Sequence, residues 1–209
     1  RISTENVSTT SRSSSTITAP ISIISLKKLW SYKKLEDGTL IITGYKGDAV
    51  DVEVPAVIGR SSVTVIGEEA FCAPDWNSRV KNTEARMKIR SIVIPEGVTK
   101  IQKNAFWNLT SLKTLTLPNS IKRLEAPLAK NCNKLKKINI PVGAKIDGDG
   151  HLFLRCSQLP TQDGFLIINN VLHDASSAHI NNEGNLVIPE NVTEISNCVF
   201  YNGKMSSVT

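Results

Sequence analysis

Ile92-Val93-Ile94-Pro95, then Val98-Thr99-Lys100-Ile101 with Ala105-Phe106, then Leu112-x-x-Leu115-x-Leu117-Pro118: this run holds one full unit of a repeat and the start of the next. Working outward, the apolar-x-apolar-Pro signature recurs at Val52-Glu53-Val54-Pro55, Ile138-Asn139-Ile140-Pro141 and Leu186-Val187-Ile188-Pro189. The prolines are spaced 40, 23, 23 and 48 residues apart. Two intervals equal one unit, 48 is close to two units, and 40 is one unit plus an insertion. Periods of this size mark stacked-repeat architectures.

Two further registers run in step. Val63-Thr64-Val65-Ile66 with Ala70-Phe71 matches Val98 to Phe106, and Val192-Thr193-Glu194-Ile195 with Val199-Phe200 matches both. Ile121-Lys122-Arg123-Leu124 with Leu128-Ala129 is a looser copy, in which small-large has become large-small and volume is partly kept. The third register is Leu112-x-x-Leu115-x-Leu117, repeated from Ile89 and from Leu135. Apolar residues at period two put one face of a short strand inward. Each unit therefore offers a strand, a proline stop, a turn, and a short helical or 3₁₀ segment near the Phe. A single unit cannot enclose its own apolar face, so units must stack into a solenoid.

These residues resemble the BspA-type leucine-rich repeat, most closely over Ile92 to Leu117 and Val187 to Phe200, with the resemblance covering about residues 35 to 209. The resemblance implies an α/β leucine-rich-repeat solenoid, strand-rich, with short helical or 3₁₀ segments and an N-terminal β-hairpin cap. It also implies an exported or surface-attached bacterial protein that acts in adhesion to matrix proteins or other cells. The motif specifies a fold and leaves the ligand open.

Outside the regular units, residues 1–29 read as a Ser/Thr-rich flexible tail or linker, ahead of a solenoid over 30–209. Trp30 to Leu35, a turn at Asp37-Gly38 and Leu40 to Ile42 predict a hairpin within 30–44. Insertions are expected near 73–86 and 146–183, the second carrying a hairpin around Asn169-Asn170. Met205 to Thr209 fits the start of another strand and stops short of the expected proline, which reads as an array continuing past 209.

Composition supports a folded body: 40% hydrophobic and 21% charged residues. No apolar run approaches the roughly 18 residues of a spanning helix. The net charge is +6, with clusters at Lys27, Lys28, Lys33 and Lys34 and at Lys130, Lys134, Lys136 and Lys137. The plain reading is a solvated surface, and the sharper one attraction to polyanions such as acidic glycans. Nucleic acid is not expected, because aromatic residues are not interleaved with these lysines.

Chemistry is sparse. Cys72, Cys132, Cys156 and Cys198 form no C-x-x-C. Cys132 and Cys156 share a repeat position on rungs about 5 Å apart, within disulfide reach, but their side chains point the same way, which suits packing better. His151, His173 and His179 lack zinc-ligand spacing with the cysteines. Asp147-Gly148-Asp149-Gly150 offers paired carboxylates in a glycine turn without the remaining positions of a calcium loop. Glu68-Glu69 is read as starting a short helix. Asn6, Asn108 and Asn191 fit the glycan acceptor rule, which a bacterial source would leave idle. No nucleophile–base set and no phosphate-cradling loop is present, so no enzyme, metal or cofactor is expected.

The expected function is recognition. Outward strand positions Ser91, Val93, Thr114, Thr116, Lys137 and Asn139 would form one face able to hydrogen-bond a protein or glycan on a host or neighbouring cell. The alternative is a structural spacer in a larger surface protein.

Overall fold

The proline-terminated segments form the first of three parallel ladders. In a computed structural model that describes residues 23–73, 84–148, 151–175, 178, 181, 185–196, 199–200 and 207–208, four strands stack in the order Asp51–Glu53, Ser91–Val93, Thr114–Thr116 and Lys137–Ile138. The register is Asp51 on Ser91 on Thr114 on Lys137. Val52, Ile92 and Leu115 point inward and are at most 3% exposed. Proline ends each strand because it cannot donate to the next rung.

A second ladder comes from the Val-Thr-x-Ile register, which the period alone assigned to a turn. Leu40–Tyr45, Ser61–Ile66, Lys100–Ile101, Arg123–Glu125 and Lys145–Asp147 pair in parallel, rung on rung. Ile42, Ile66, Ile101 and Leu124 form its buried column.

The segment around each Phe is a third wall made of turns with i→i−3 bonds, such as Trp107 N–H to Asn104 O at 3.1 Å, and not a continuous helix. Its amides bond to the next rung: Phe71 N–H to Ala105 O at 2.9 Å, Phe106 N–H to Leu128 O at 3.2 Å, and Leu128 N–H to Leu152 O at 2.9 Å. Donors committed between rungs cannot also close i→i−4 helical rings. Ala129–Lys130 and Phe153–Leu154 complete this wall as a short parallel pair. Helix among the described residues is confined to Ile23–Leu29 and Glu84–Met87. Glu69 has φ 57°, so Glu68-Glu69 opens a turn.

The Leu128-Ala129 swap is now explained. Hydrogen-bond alignment places Phe71, Phe106, Ala129 and Phe153 in one column and Ala105, Leu128 and Leu152 in the next. All are at most 2% exposed. The corner after this wall recurs at Asn108, Asn131 and Arg155, with φ of 63°, 58° and 55°. Asn tolerates the left-handed region; Arg does not gain by it.

The open end of the first rung is covered as expected. Trp30–Lys34 pairs antiparallel with Leu40–Tyr45 around the Asp37-Gly38 turn, where Gly38 has φ 84°. Trp30 packs against Tyr45 at 4.8 Å with the rings tilted by 44° and meets Phe71 edge-on at 5.9 Å, so aromatic rings close the end of the core. Ile23–Leu29, read from composition as part of the tail, is helical, and Leu26 and Leu29 pack against the core. Their three-residue spacing brings both to one helix face. Residues 1–22 lie outside the described residues.

Residues 74–83 of the first insertion also lie outside them. Its far end is anchored: Arg86 is 6% exposed and donates from Nε to Tyr45 O and from Nη1 to Cys72 O, both at 2.9 Å. The second insertion begins later than the sequence suggested. Lys145–Asp147 and Phe153–Leu154 still pair with the preceding rung, and Gly148 turns the chain after the first at φ 99°. The hairpin then forms from Leu166–Ile168 and Val171–Asp174, with Asn169 and Asn170 at φ 53° and 63°. Val171–Asp174 pairs in parallel with Glu194–Ile195. This end of the molecule has its own small core of Phe165, Leu172, Leu186 and Val199, distinct from the main one.

Candidate functional site

The outward face of the first ladder carries two columns. Asp51, Ser91, Thr114 and Lys137 form one, and Glu53, Val93 and Thr116 lead to Asn139 in the other. All six residues expected on this face lie on the first-ladder strands or at their end. They are not equally available. Ser91 Oγ donates to Asp51 Oδ1 at 2.7 Å. The Asn139 amide accepts from Leu117 N–H at 3.1 Å and donates to Leu117 O at 2.9 Å, standing in for a strand residue where the ladder ends. Val93, Thr116 and Lys137 are exposed, and Thr114 is half-buried.

Sequence reasoning missed the charge on this face. Asp51 and Glu53 sit at one end, and the Val52-Glu53-Val54-Pro55 signature already marked their strand. A third column, Arg90, Lys113 and Lys136, runs beside it through Lys113 N–H to Arg90 O at 2.7 Å and Lys136 N–H to Lys113 O at 2.9 Å. Arg90 pairs with Asp51 at 3.8 Å. Lys113, Lys136 and Lys137 are exposed and make no ion pair among the described residues. The face therefore runs from acidic to basic, with Lys113 on one rung and Lys136 and Lys137 side by side on the next.

The second ladder spends its charges internally. Lys100 pairs with Glu125 at 2.6 Å and Arg123 with Asp147 at 2.7 Å, each cation meeting the acid two positions along on the next rung. The Arg123 hydrogen bond holds the Asp147 carboxyl below the usual carboxylate range. Asp147 is thus engaged, and Asp149 and Gly150 of the glycine turn lie outside the described residues. Among the described residues no group of three His, Cys, Asp or Glu could hold a metal ion.

Beyond the last rung a cleft of about 520 Å³ separates the Lys145–Asp147 strand from the hairpin unit. Ile140, Lys145, Ile146, Ile168, His173 and Glu194 are among the residues lining it. The Asn169 side chain reaches across to donate to Ile140 O. On the far wall His173 Nδ1 and Ser196 Oγ share a hydrogen bond of 2.7 Å. Burial, at 3% exposure, pulls the His173 pKa down to about 4, so the ring is neutral at pH 7.

Cys72, Cys132 and Cys156 are buried, and Cys132 and Cys156 are free thiols. The Cys132 thiol donates to Phe106 O at 3.0 Å. A hydrogen bond with Cys156, followed by burial, pushes its pKa up. Cys198 and His179 lie outside the described residues. No helix among the described residues is long and apolar enough to cross a membrane.

The BspA type leucine rich repeat region matches residues 81–205 in six copies, more than half of the chain. The chain belongs to this family. Solved structures agree on the fold. A leucine-rich repeat protein from Bacteroides capillosus is 24% identical, with a TM-score of 0.51 over 64% of this chain and 91% of that one. A leucine rich cell surface protein from Faecalibacterium prausnitzii is also 24% identical, with a TM-score of 0.50 over 87% of this chain and 52% of that one. Comparison with curated proteins gives no match. The BspA-type repeats carry the proline, Val-Thr-x-Ile and Phe registers as the three walls described above.

Proposed function

We propose that the chain is a non-catalytic recognition module of a secreted or surface-attached protein, binding an acidic protein or glycan through the outward face of its first ladder. The observation that carries this reading is the cluster Lys113, Lys136 and Lys137: exposed, unpaired among the described residues, with Lys113 and Lys136 joined between adjacent rungs by a main-chain hydrogen bond and Lys137 next to Lys136. A cluster of like charges on one face raises local anion concentration and steers a partner of opposite charge. Thr114, Thr116 and Val93 supply adjoining hydroxyl and apolar contact. The surface location is supported by family membership and by the Faecalibacterium prausnitzii neighbour, whose name describes a cell surface protein.

The test is binding of the described chain to host matrix proteins and to sulfated glycans, before and after changing Lys113, Lys136 and Lys137 to Ala. A tenfold or greater loss, with a shallower salt dependence, is expected. Unchanged affinity would remove this face from the reading. A spacer role is the second reading. It is favoured by the coverage of 52% of the Faecalibacterium prausnitzii protein, whose remainder lies outside the match. Absence of any ligand for this chain, with binding found in an adjoining part of the full protein, would favour the spacer.

A further inference from the structure

The second ladder stops while still able to pair. Lys145 N–H bonds to Lys122 O at 2.9 Å, and Asp147 O accepts from Ala126 N–H at 2.8 Å, so both residues face the preceding rung. In a parallel strand, alternate residues direct N–H and C=O to opposite sides. The N–H and C=O of Ile146 therefore project toward the cleft. The ladder's ion-pair rule also stops there. Lys100 finds Glu125 and Arg123 finds Asp147, each on the next rung. Lys145 is exposed and has no ion pair among the described residues.

We infer that the cleft is a binding site for an extended peptide that adds to Lys145–Asp147 as a parallel rung, with the sequence polar–apolar–acidic. A strand residue with its side chain occupies about 160 Å³, taking a 3.3 Å rise, 4.8 Å strand spacing and 10 Å layer thickness. The cleft of about 520 Å³ thus holds roughly three residues, the length of the Arg123–Glu125 and Lys145–Asp147 rungs. The register follows from the rungs already present. The apolar residue lies beside Ile146, over the apolar lining of Ile140 and Ile168. The acidic residue lies beside Asp147 and meets Lys145, as Glu125 meets Lys100. The carbonyl of the first residue accepts from Ile146 N–H, and the acidic residue's N–H donates to Ile146 O. The Asn169–Ile140 hydrogen bond ties the hairpin tip to the rung and sets the width. Main-chain pairing supplies affinity and the two side chains supply selectivity. This site is separate from the lysine cluster of the first ladder and does not depend on it.

The probe is a dye-labelled pentapeptide, Ser-Thr-Ile-Glu-Ser, blocked at both ends, titrated by fluorescence polarisation with the Ile146 amide followed by NMR. Saturable binding with a shift and slowed exchange at Ile146 is expected. Methylating the peptide nitrogen of Glu removes a required donor and should abolish binding. Methylating that of Ile, which points away from the rung, should cost less than threefold. Lys145→Glu should weaken binding at least tenfold, and Ser-Thr-Ile-Lys-Ser should restore it on that variant. Changing Lys113, Lys136 and Lys137 to Ala should leave it unaltered. No binding at millimolar peptide, equal loss from both methylations, or failure of the charge-reversed pair to recover would each overturn the assignment.

Discussion

Phe106→Ala separates the energetics of the two cores. Phe106 is fully buried, lies in the column between Phe71 and Ala129, and stacks on Phe71 at 5.6 Å and 26°. Removing the ring forfeits about 2–3 kcal/mol of transfer free energy and about 1 kcal/mol of ring pairing. The gap cannot close readily: Ala129 beside it is small, and the flanking main chain is fixed by rung hydrogen bonds. The expected loss is about 4 kcal/mol, within the range seen for buried Phe→Ala. For a chain of this size that is a fall in Tm of roughly 12 °C. In stacked repeats the loss spreads to neighbours and fades with distance. Native-state hydrogen exchange should therefore accelerate at Ile66, Ile101 and Leu124, while Leu172 and Ser196, in the separate hairpin unit, change little. A loss under 1 kcal/mol, or equal acceleration at Leu172 and Ser196, would refute the division into two cores.

His173, with a folded pKa of about 4 against 6.5 for the free group, predicts acid sensitivity. The unfolded chain takes up the proton first, so the contribution is intact above pH 6.5 and falls away as pH drops toward 4, by about 2 kcal/mol at pH 5; urea melts of wild type and His173→Gln across pH 4–7 should diverge in that window. Arg155 holds a left-handed corner that Asn108 and Asn131 occupy on earlier rungs, so Arg155→Asn or Arg155→Gly should stabilise by about 1 kcal/mol in thermal melts. Arg86→Met leaves the carbonyls of Tyr45 and Cys72 without their donor. It should cost about 2–4 kcal/mol by denaturant titration, from two charge-assisted hydrogen bonds.

The stacking was legible because one period carried proline, Val-Thr-x-Ile and Phe together, and each marks one wall. What those walls are made of was less legible. A rung of two or three residues, such as Lys100–Ile101, is too short for alternation to show, and its strand character comes from partners 23 residues away. A short helical or 3₁₀ segment was expected near Phe106 because local pattern cannot reveal that its amide is taken by Leu128. The six face residues were readable from period two. The commitment of Asn139 to Leu117 was not, since it depends on where the next strand fails to continue. The acidic end of the face was hidden by the 40-residue interval between Pro55 and Pro95, which broke the visual alignment of Asp51 with Ser91. The cleft left no motif, because it arises from an interruption in pairing.

The rung-to-rung hydrogen bonds of Lys113 to Arg90 and Lys136 to Lys113 run along the stacking direction. Tension along that direction loads one rung at a time, so the array unzips instead of shearing. Each 23-residue unit is one rung, about 5 Å high, and pays out roughly 75 Å of chain when it opens. A molecule held at one end and pulled by a bound partner at the other would lengthen in steps of that size, beginning at whichever rung is least supported by its neighbours.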